Sequence, residues 1–319
     1  MGGRVMTESK TDLEELLRLL GNEARLRIMR ELWEEFEFSD YVIEDQRGMS
    51  FSELQDRSAI DDPGNFNYHL GELTGTLIQT RDNGYSLSPL GYNLMKSLDR
   101  FSSFAYETRD AWILDDSCPF CHGQLEARYR REILEVRCLR CAGLGGDGNF
   151  TFVDLGGIGT ISLDNEEILE AATLTMNSKL RSSMHGICWA CHDRSTITIE
   201  RCQDHQTHQS SNCDHCNARF AWIVIVNCST CGTGGRGPLT EFAICSPIVG
   251  SFFADYHSGP NQIGPWRYRL TALEAVSEED TGDDRAVMEF HAGGQSLQVA
   301  FDINDHPVAP YRPDLSSVN

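Results

Sequence analysis

The sequence contains few lysines and no long hydrophobic run. Lysine occurs only at Lys10, Lys96 and Lys179, so 24 of the 27 basic residues are arginine. The longest apolar run, 221–226, is far shorter than the roughly 18 residues of a membrane span and suits a buried strand. The first ten residues also lack the apolar core of a secretory signal. We therefore expect a cytoplasmic protein with no membrane association.

Motifs of the common enzyme classes are missing as well. We find no phosphate-binding loop, no Ser-His-Asp pattern and no H-E-x-x-H metalloprotease motif. Most of the ten histidines lie near cysteines or stand alone, as surface histidines do. We therefore expect that the protein is not an enzyme. An enzyme remains the alternative only if a metal site keeps an open coordination position.

Residues 50–91 contain a helix, a turn, a second helix, a hairpin and a third helix in that order. Ser50 and Glu53 form an S-x-x-E capping pattern, and Asp62 precedes Pro63 as an N-cap precedes the first helical residue. Residues 82–84 read Asp-Asn-Gly, a strong signal for a short hairpin. This order predicts a winged helix-turn-helix with the hairpin as its wing.

The second helix of this segment carries polar residues where a DNA-reading helix needs them. The N-terminal end of such a helix enters the major groove, where Asn can pair with adenine and a Tyr ring can lie on a thymine methyl group. We predict that Asn65, Asn67 and Tyr68 contact bases and that His69 and Arg81 contact the DNA backbone. The alternative is a small helical domain whose polar face is merely hydrated.

The charge of the chain is unusual for a protein that binds DNA. The formal net charge is −21, and residues 1–105 contain 11 basic and 19 acidic residues, a net of −8. Basic patches normally supply the energy of phosphate binding. Either the chain binds no DNA, or it works in molar salt, where screening shortens the Debye length to about 3 Å and base contacts must dominate. In its acidic composition and its preference for arginine over lysine, the chain resembles proteins of salt-accumulating archaea.

Residues 14–98 resemble the DNA-binding domain of ArsR-like transcriptional regulators, in the variant common in haloarchaea. The matching stretches are 20–29, 65–70 and 84–91. The resemblance implies that residues 67–70 lie in the recognition helix and that the partner is double-stranded DNA. An acidic insert at 34–48 departs from the family pattern and lengthens one connection. The cysteine-rich remainder is similar in outline to haloarchaeal regulators that carry zinc-ribbon-like modules.

Ten of the twelve cysteines form five C-x-x-C pairs, a spacing at which two thiolates reach one tetrahedral Zn²⁺. The first module combines two pairs that flank alternating apolar residues, which predicts a zinc ribbon. Its ligands are Cys118, Cys121, Cys138 and Cys141.

The second module contains three pairs, so its ligand grouping is ambiguous. We favour a ribbon held by Cys188, Cys191, Cys228 and Cys231, with a further site formed by Cys202, His205, Cys213 and Cys216. In an alternative grouping, Cys213 and Cys216 join Cys228 and Cys231. Separately, His208 could replace His205 in the further site. Cys245 is alone in an apolar segment and is expected to be buried rather than a ligand.

The predicted cofactor is Zn²⁺, two or three ions with a structural role. Four-cysteine shells leave no open position, which argues against sensing, although ArsR-like proteins often respond to metals. The function most consistent with the sequence is a sequence-specific DNA-binding regulator, which forms a homodimer if the helix near 89–106 pairs across a two-fold axis. The alternatives are a general transcription factor that resembles archaeal factor E and binds RNA polymerase, and a metal- or thiol-responsive sensor.

The fold class we predict is α+β. Beyond the cysteine modules, Trp266, Tyr268, Leu270 and Ala272 alternate with polar residues and predict a strand, as does the alternation from Leu297 onward. The expected parts are a winged helix-turn-helix at 1–106, a zinc ribbon at 111–150, an isolated linking helix at 165–185, a second zinc module at 186–235, a β-rich region at 236–304 and a loose tail at 305–319.

Overall fold

The computed structural model describes residues 13–35, 48–82, 84–102, 108–155, 162–206, 212–279 and 285–302. The chain divides into two compact units, Met1–Phe104 and Ala105–Asn319. The acidic insert beyond residue 35, the hairpin residue Asn83, His208 and the tail at 305–319 lie outside the described residues.

The first unit is helical with one hairpin. Its helices are α1 (Leu13–Leu20), α2 (Glu23–Glu34), α3 (Phe51–Arg57), α4 (Pro63–Leu73) and α5 (Pro89–Ser102), and its strands are β1 (Ile78–Arg81) and β2 (Gly84–Leu87). β1 and β2 are antiparallel, with Ile78 opposite Leu87 and Arg81 opposite Gly84. The backbone of Met49, just before α3, bonds in both directions with Tyr85, which ties the hairpin to the start of that helix.

Side chains cap the starts of α2 to α5, and the caps at Ser50 and Asp62 are those that the sequence predicts. The side chains of Asn22, Ser50 and Asp62 each accept a backbone N–H in the first turn of α2, α3 and α4. Ser88 does the same for α5, because its Oγ accepts the N–H of Gly91 at 3.0 Å. These bonds satisfy donors that a helix start leaves free, so the local sequence determines where the helices begin.

The core of the first unit lies between α2, α3, α4 and the hairpin. Phe66, Leu70, Leu73 and Leu77 are all at most 2 % exposed, as their spacing predicts. On α2, Leu26 is only half-buried although it is apolar. The residues of α2 that are buried are Arg25, Ile28, Met29 and Leu32.

The second unit contains three antiparallel sheets. A four-stranded sheet has the order β3 (Thr108–Ser117), β4 (Gln124–Arg130), β5 (Ile133–Cys138) and β6 (Asn149–Asp154). A three-stranded sheet contains β7 (Thr196–Arg201), β8 (Trp222–Asn227) and β9 (Gly234–Pro238). The third sheet contains β10 (Val276–Glu279), β11 (Arg285–Ala292) and β12 (Gln295–Asp302).

Helices of the second unit pack with these sheets in a single hydrophobic core. They are α6 (Asn165–Met184), α7 (Leu239–Ile244), α8 (Pro247–Ala254), α9 (Pro260–Ile263) and α10 (Pro265–Glu274). α6 is not isolated as predicted, because Ile168, Leu169 and Ala172 belong to the shared core. Among the helices of the described ranges, none is both long and apolar enough to cross a lipid bilayer.

The strand predicted at Trp266–Ala272 is wrong, because these residues form α10. Its first residue, Pro265, suits a helix start but not a central strand. Six of its ten residues are buried, including Arg269 and Leu273, so burial runs around most of the helix. The polar residues that are not buried, Arg267, Thr271 and Glu274, lie at i, i+4 and i+7 on one narrow face, so the alternation over 266–272 comes from a wide buried face of a helix rather than from a strand. The strand predicted from Leu297 is confirmed as β12, with a turn at Gly293 and Gly294.

Candidate metal centres and polar helix surface

Three groups of four side chains lie at metal-binding distance in the second unit. In each group, one ligand atom from every residue lies within 4.8 Å of the other three. The groups match the predicted ones, including the favoured division of the second module. They are cluster 1 (Cys118, Cys121, Cys138 and Cys141), cluster 2 (Cys188, Cys191, Cys228 and Cys231) and cluster 3 (Cys202, His205, Cys213 and Cys216).

The sulfur separations fit a tetrahedral ion better than a disulfide. In cluster 1, Sγ of Cys118 lies 3.6 Å from Sγ of Cys141, and Sγ of Cys121 lies 3.5 Å from that of Cys138. The corresponding separations in cluster 2 are both 3.6 Å. A disulfide needs about 2.05 Å, whereas four sulfurs at about 2.3 Å from one Zn²⁺ lie about 3.8 Å apart.

The strands explain why distant cysteines meet. β4 and β5 form a hairpin that brings Cys118 and Cys121 beside Cys138 and Cys141, with Leu125 opposite Cys138. β7 and β8 pair in the same way, with Thr196 opposite Asn227, and bring the two pairs of cluster 2 together. The segment between β7 and β8 supplies all four residues of cluster 3.

Four of the five C-x-x-C pairs share one backbone turn. The residue after the second cysteine donates its N–H to the carbonyl of the first cysteine at 2.8–3.0 Å. That residue has a φ of 52–73°, in the left-handed region. The four residues are His122, His192, Asn217 and Gly232.

This turn gives the histidines beside the cysteines a backbone role. Gly, Asn and His tolerate positive φ better than most residues, which accounts for their position after the second cysteine. His122 and His192 are therefore turn residues and not members of the clusters. The fifth pair differs, because there Gly143 takes the positive φ of 70°. The recurrence of His, Asn or Gly after C-x-x-C is a signal of this turn in the sequence.

Thiols in the three clusters have pKa values shifted in opposite directions. Burial raises the pKa of Cys141 and of Cys216 to about 11. In contrast, hydrogen bonds from Thr233 lower the pKa of Cys231 to about 6. Hydrogen bonds from the backbone N–H groups of Gln206 and Cys216 lower the pKa of Cys213 to about 6 as well. Adjacent thiolates repel each other, so four cannot ionise at such distances without a bound positive charge.

The three clusters differ in exposure. In cluster 1 three cysteines are buried. Phe120 lies between Cys118 and Cys121 in the sequence, and the guanidinium of Arg219 is 3.9 Å from the centre of its ring. In cluster 2 the thiols of Cys191 and Cys231 are exposed. In cluster 3, Nδ1 of His205 lies 3.4 Å from Sγ of Cys216, and its Nε2 is 3.2 Å from the carbonyl oxygen of Arg219. Such a bond orients a metal-binding imidazole.

Cys245 lies outside the clusters, as predicted, and is 4 % exposed. Its thiol donates to Oδ1 of Asn177 at 3.2 Å, and burial raises its pKa to about 12. A neutral buried thiol of this kind behaves as a small apolar side chain.

In the first unit, α4 presents three of the predicted DNA-contacting residues to solvent. Asn65 and Asn67 are exposed, and the Tyr68 side chain is among the most exposed large apolar groups of the chain, at 57 %. Phe66 is directed inward and its ring meets that of Phe51 edge-on at 4.8 Å, which fixes α4 against α3.

The structure contradicts the prediction for His69. Its side chain is only 8 % exposed, so it has little surface for DNA. Burial lowers its pKa below the usual value, and the nearby charge of Arg25 lowers it further, while Glu72 acts in the opposite direction. The spacing of three residues from Phe66 places it on the buried face of α4. Arg81 lies at the end of β1, half-buried, opposite Gly84.

The class of protein is therefore an α+β chain with several small antiparallel sheets and three four-ligand clusters. The chain belongs to the family described as Domain of unknown function (DUF7351), whose model matches residues 115–305, more than half of the chain. A second family model, Domain of unknown function (DUF7347), matches residues 13–98. Comparison with curated proteins and with solved structures gave no match.

Proposed function

We propose that the protein is a sequence-specific DNA-binding transcriptional regulator stabilised by structural Zn²⁺. The observation that carries the proposal is the exposed polar end of α4, where Asn65, Asn67 and Tyr68 are open to solvent. The helix follows α3 after a short turn and precedes the hairpin β1–β2, which is the order of a winged helix-turn-helix.

The three exposed side chains match the chemistry of base edges. The amides of Asn65 and Asn67 can each donate to and accept from adenine in the major groove, and Tyr68 offers an apolar ring to a thymine methyl group. Asp62 caps the same helix end, so phosphate attraction there is weak. We therefore assign specificity to base contacts and expect binding to depend on salt less steeply than it does for basic DNA-binding proteins.

A homodimer is part of the proposal. On α5, Leu90 and Leu98 are 40 % and 36 % exposed, and they lie eight residues apart on nearly the same side of the helix. A second copy of α5 would cover both side chains across a two-fold axis. Replacement of Leu98 by Glu should then halve the mass measured by light scattering, whereas replacement of the exposed Asp99 by Asn should not.

The metal we propose for all three clusters is Zn²⁺. Cysteine sulfur with imidazole nitrogen is the donor set that Zn²⁺ prefers, and four ligands complete its tetrahedral shell. When bound, the ion supplies a positive charge that holds the thiols ionised and cross-links strands. No ligand position remains for a substrate, which supports a structural role.

A second candidate, a thiol-responsive regulator, is favoured by the exposure of Cys191 and Cys231. Oxidation of these two thiols by a peroxide would release metal from cluster 2. The readout is the affinity for DNA before and after exposure to peroxide. An unchanged affinity, with metal released, would leave cluster 2 purely structural.

Selection of DNA from a random pool in molar KCl tests the main proposal. The full-length protein should enrich one sequence motif, with half-sites spaced by about one helical turn if it dimerises. Asn67→Ala combined with Tyr68→Ala should lower affinity for that motif by about 10- to 100-fold, because a good side-chain pair with a base contributes about 1–3 kcal/mol.

Asn93→Ala is the matched control, because Asn93 is an exposed asparagine on α5 of the same unit. It should leave the affinity unchanged. Enrichment of no motif, together with recovery of RNA polymerase from a cell extract, would overturn the proposal in favour of a general transcription factor.

A further inference from the structure

The second unit contains a cavity between four of its helices. Its volume is about 380 Å³, within the roughly 300–1,000 Å³ range of small-molecule sites. Walls come from α6, α8, α9 and α10, and from the segment that joins α7 to α8. Two of these helices, α6 and α8, have side-chain caps at their N-terminal ends, from Asp164 and Ser246.

The cavity has no carboxylate in its lining although the chain is strongly acidic. Acidic residues make up 48 of the 319 residues, yet none of the lining residues is Asp or Glu. The lining instead includes one cation, Arg181, and the amides Asn177, Asn261 and Gln262. Glu241, whose charge acts on the lining residue Cys245, is paired with Arg269.

Arg181 is available to a ligand. Its Nε donates to the carbonyl oxygen of Cys245 at 3.3 Å, which directs the guanidinium along the cavity wall. Arg181 forms no ion pair with any residue in the part of the chain that the structure describes. A guanidinium has five N–H donors in a planar fork, and that fork matches a carboxylate.

The larger part of the cavity surface is apolar. Ile244, Pro247, Ala254 and Pro260 line it, and the Tyr268 hydroxyl is already engaged as a donor to the carbonyl of Ile244 at 2.7 Å. Gly250 keeps part of the space open, because a Cβ built there has its nearest neighbours at 3.9 Å. The surface therefore combines an apolar body with one cationic end.

We propose that this cavity binds a small organic carboxylate with an apolar body, with the carboxylate at Arg181 and the apolar part against Gly250 and Pro260. The proposal goes beyond DNA binding, since it concerns only the second unit and is tested by ligand binding alone.

The probe is 4-fluorophenylacetate, with 2-(4-fluorophenyl)ethanol as a neutral analogue of the same shape. Binding to the full-length, metal-loaded protein is followed by ¹⁹F NMR at the lowest KCl concentration that preserves the near-ultraviolet circular dichroism. The carboxylate should bind at least about tenfold more tightly than the alcohol, because a charged hydrogen bond contributes about 1.5–3 kcal/mol.

Two variants locate the site. Arg181→Gln should weaken carboxylate binding by about tenfold or more, whereas Lys179→Gln should not, although it removes the same charge from the same helix. Lys179 is the right control because its Nζ bonds to the carbonyl of Asp154, and it does not line the cavity. Gly250→Leu should fill the space and abolish binding of both probes while the thermal midpoint stays the same or rises.

Three results would overturn the proposal. The first is that neither probe binds the wild-type protein. The second is equal loss of carboxylate binding in the Arg181 and Lys179 variants, which would mean that only overall charge matters. The third is retained binding in Gly250→Leu with the native circular dichroism, which would place the ligand elsewhere. None of these results bears on DNA selection, so the two proposals fail independently.

Discussion

The side chains of Arg269 and Glu241 form a buried ion pair in the core of the second unit. They are 2 % and 7 % exposed, and two hydrogen bonds of 2.8 and 3.1 Å join them. Arg269 also donates to the carbonyl of Phe150 at 2.6 Å, which links α10 and α7 to β6. A pair of this kind is costly to break, because the remaining charge stays buried without a partner.

Arg269→Met should lower the free energy of unfolding by about 3–5 kcal/mol. Addition of Glu241→Leu should recover much of that loss, because no buried charge then remains. Urea unfolding followed by tryptophan fluorescence measures the free energy of unfolding of each single variant and of the double variant. If the loss in the double variant equals the sum of the losses in the two single variants, the two charges do not interact, and the argument from desolvation is wrong.

Glu278 is a second titratable group inside this unit. Its carboxylate accepts the N–H groups of Ala221 and Trp222 at 2.6 and 3.3 Å and so ties β10 to the start of β8. Burial raises its pKa to about 7, although the two N–H groups act in the opposite direction. The folded state therefore disfavours the ionised form, and the penalty grows as the pH rises from about 4.5 to about 7.

Glu278→Gln should remove this penalty. Between pH 5 and pH 8, the stability of the wild type relative to the variant should fall by at most about 3 kcal/mol. Urea unfolding of both proteins at several pH values measures the difference between their free energies of unfolding. Protonation of the cysteine ligands affects both proteins equally and therefore cancels in this difference. A difference that is constant with pH would contradict a raised pKa.

Among the helices, α4 and α5 offer a paired test of local packing. A Cβ on Gly91 in α5 would lie 2.0 Å from the carbonyl oxygen of Leu77, whereas a Cβ on Gly71 in α4 would have no neighbour within 4 Å. Gly91→Ala should therefore destabilise the first unit, and Gly71→Ala should stabilise it by about 0.5–1 kcal/mol through helix propensity. Thermal unfolding of the wild type and of the two variants measures both changes in stability. Stabilisation by both would mean that α5 does not approach Leu77.

At the scale of the whole molecule, the described residues of each unit form a hydrophobic core, and the three clusters found among them lie in the second unit. The first core contains no cysteine. A strong chelator should therefore unfold the modules around 118–141 and 188–231 and leave α2 to α5 folded, because structural Zn²⁺ contributes about 10–16 kcal/mol to a small module. Hydrogen exchange by peptide measures this. Equal loss of protection in residues 51–73 would show that the first unit depends on the metal.

Local signals in the chain determined most of the elements and the first cluster, whereas they left two groupings of the second module open until the structure placed its residues. Caps at Asn22, Ser50, Asp62 and Ser88 place the helix starts, since each acts on the backbone within three residues. The first cysteine group follows from spacing, because a hairpin of suitable length brings its two pairs together. The turn that four of the pairs share depends on a single His, Asn or Gly after the second cysteine, a signal that is visible in the sequence.

Packing between distant segments decided the rest. The burial of Arg269 on α10 depends on such packing, since its guanidinium reaches Glu241 of α7 and the carbonyl oxygen of Phe150 in β6. The cavity beside Arg181 likewise needs α6, which the strands β7 to β9 separate in the chain from α8, α9 and α10. Periodicity and spacing report only on neighbours along the chain, whereas burial is a property of the folded core.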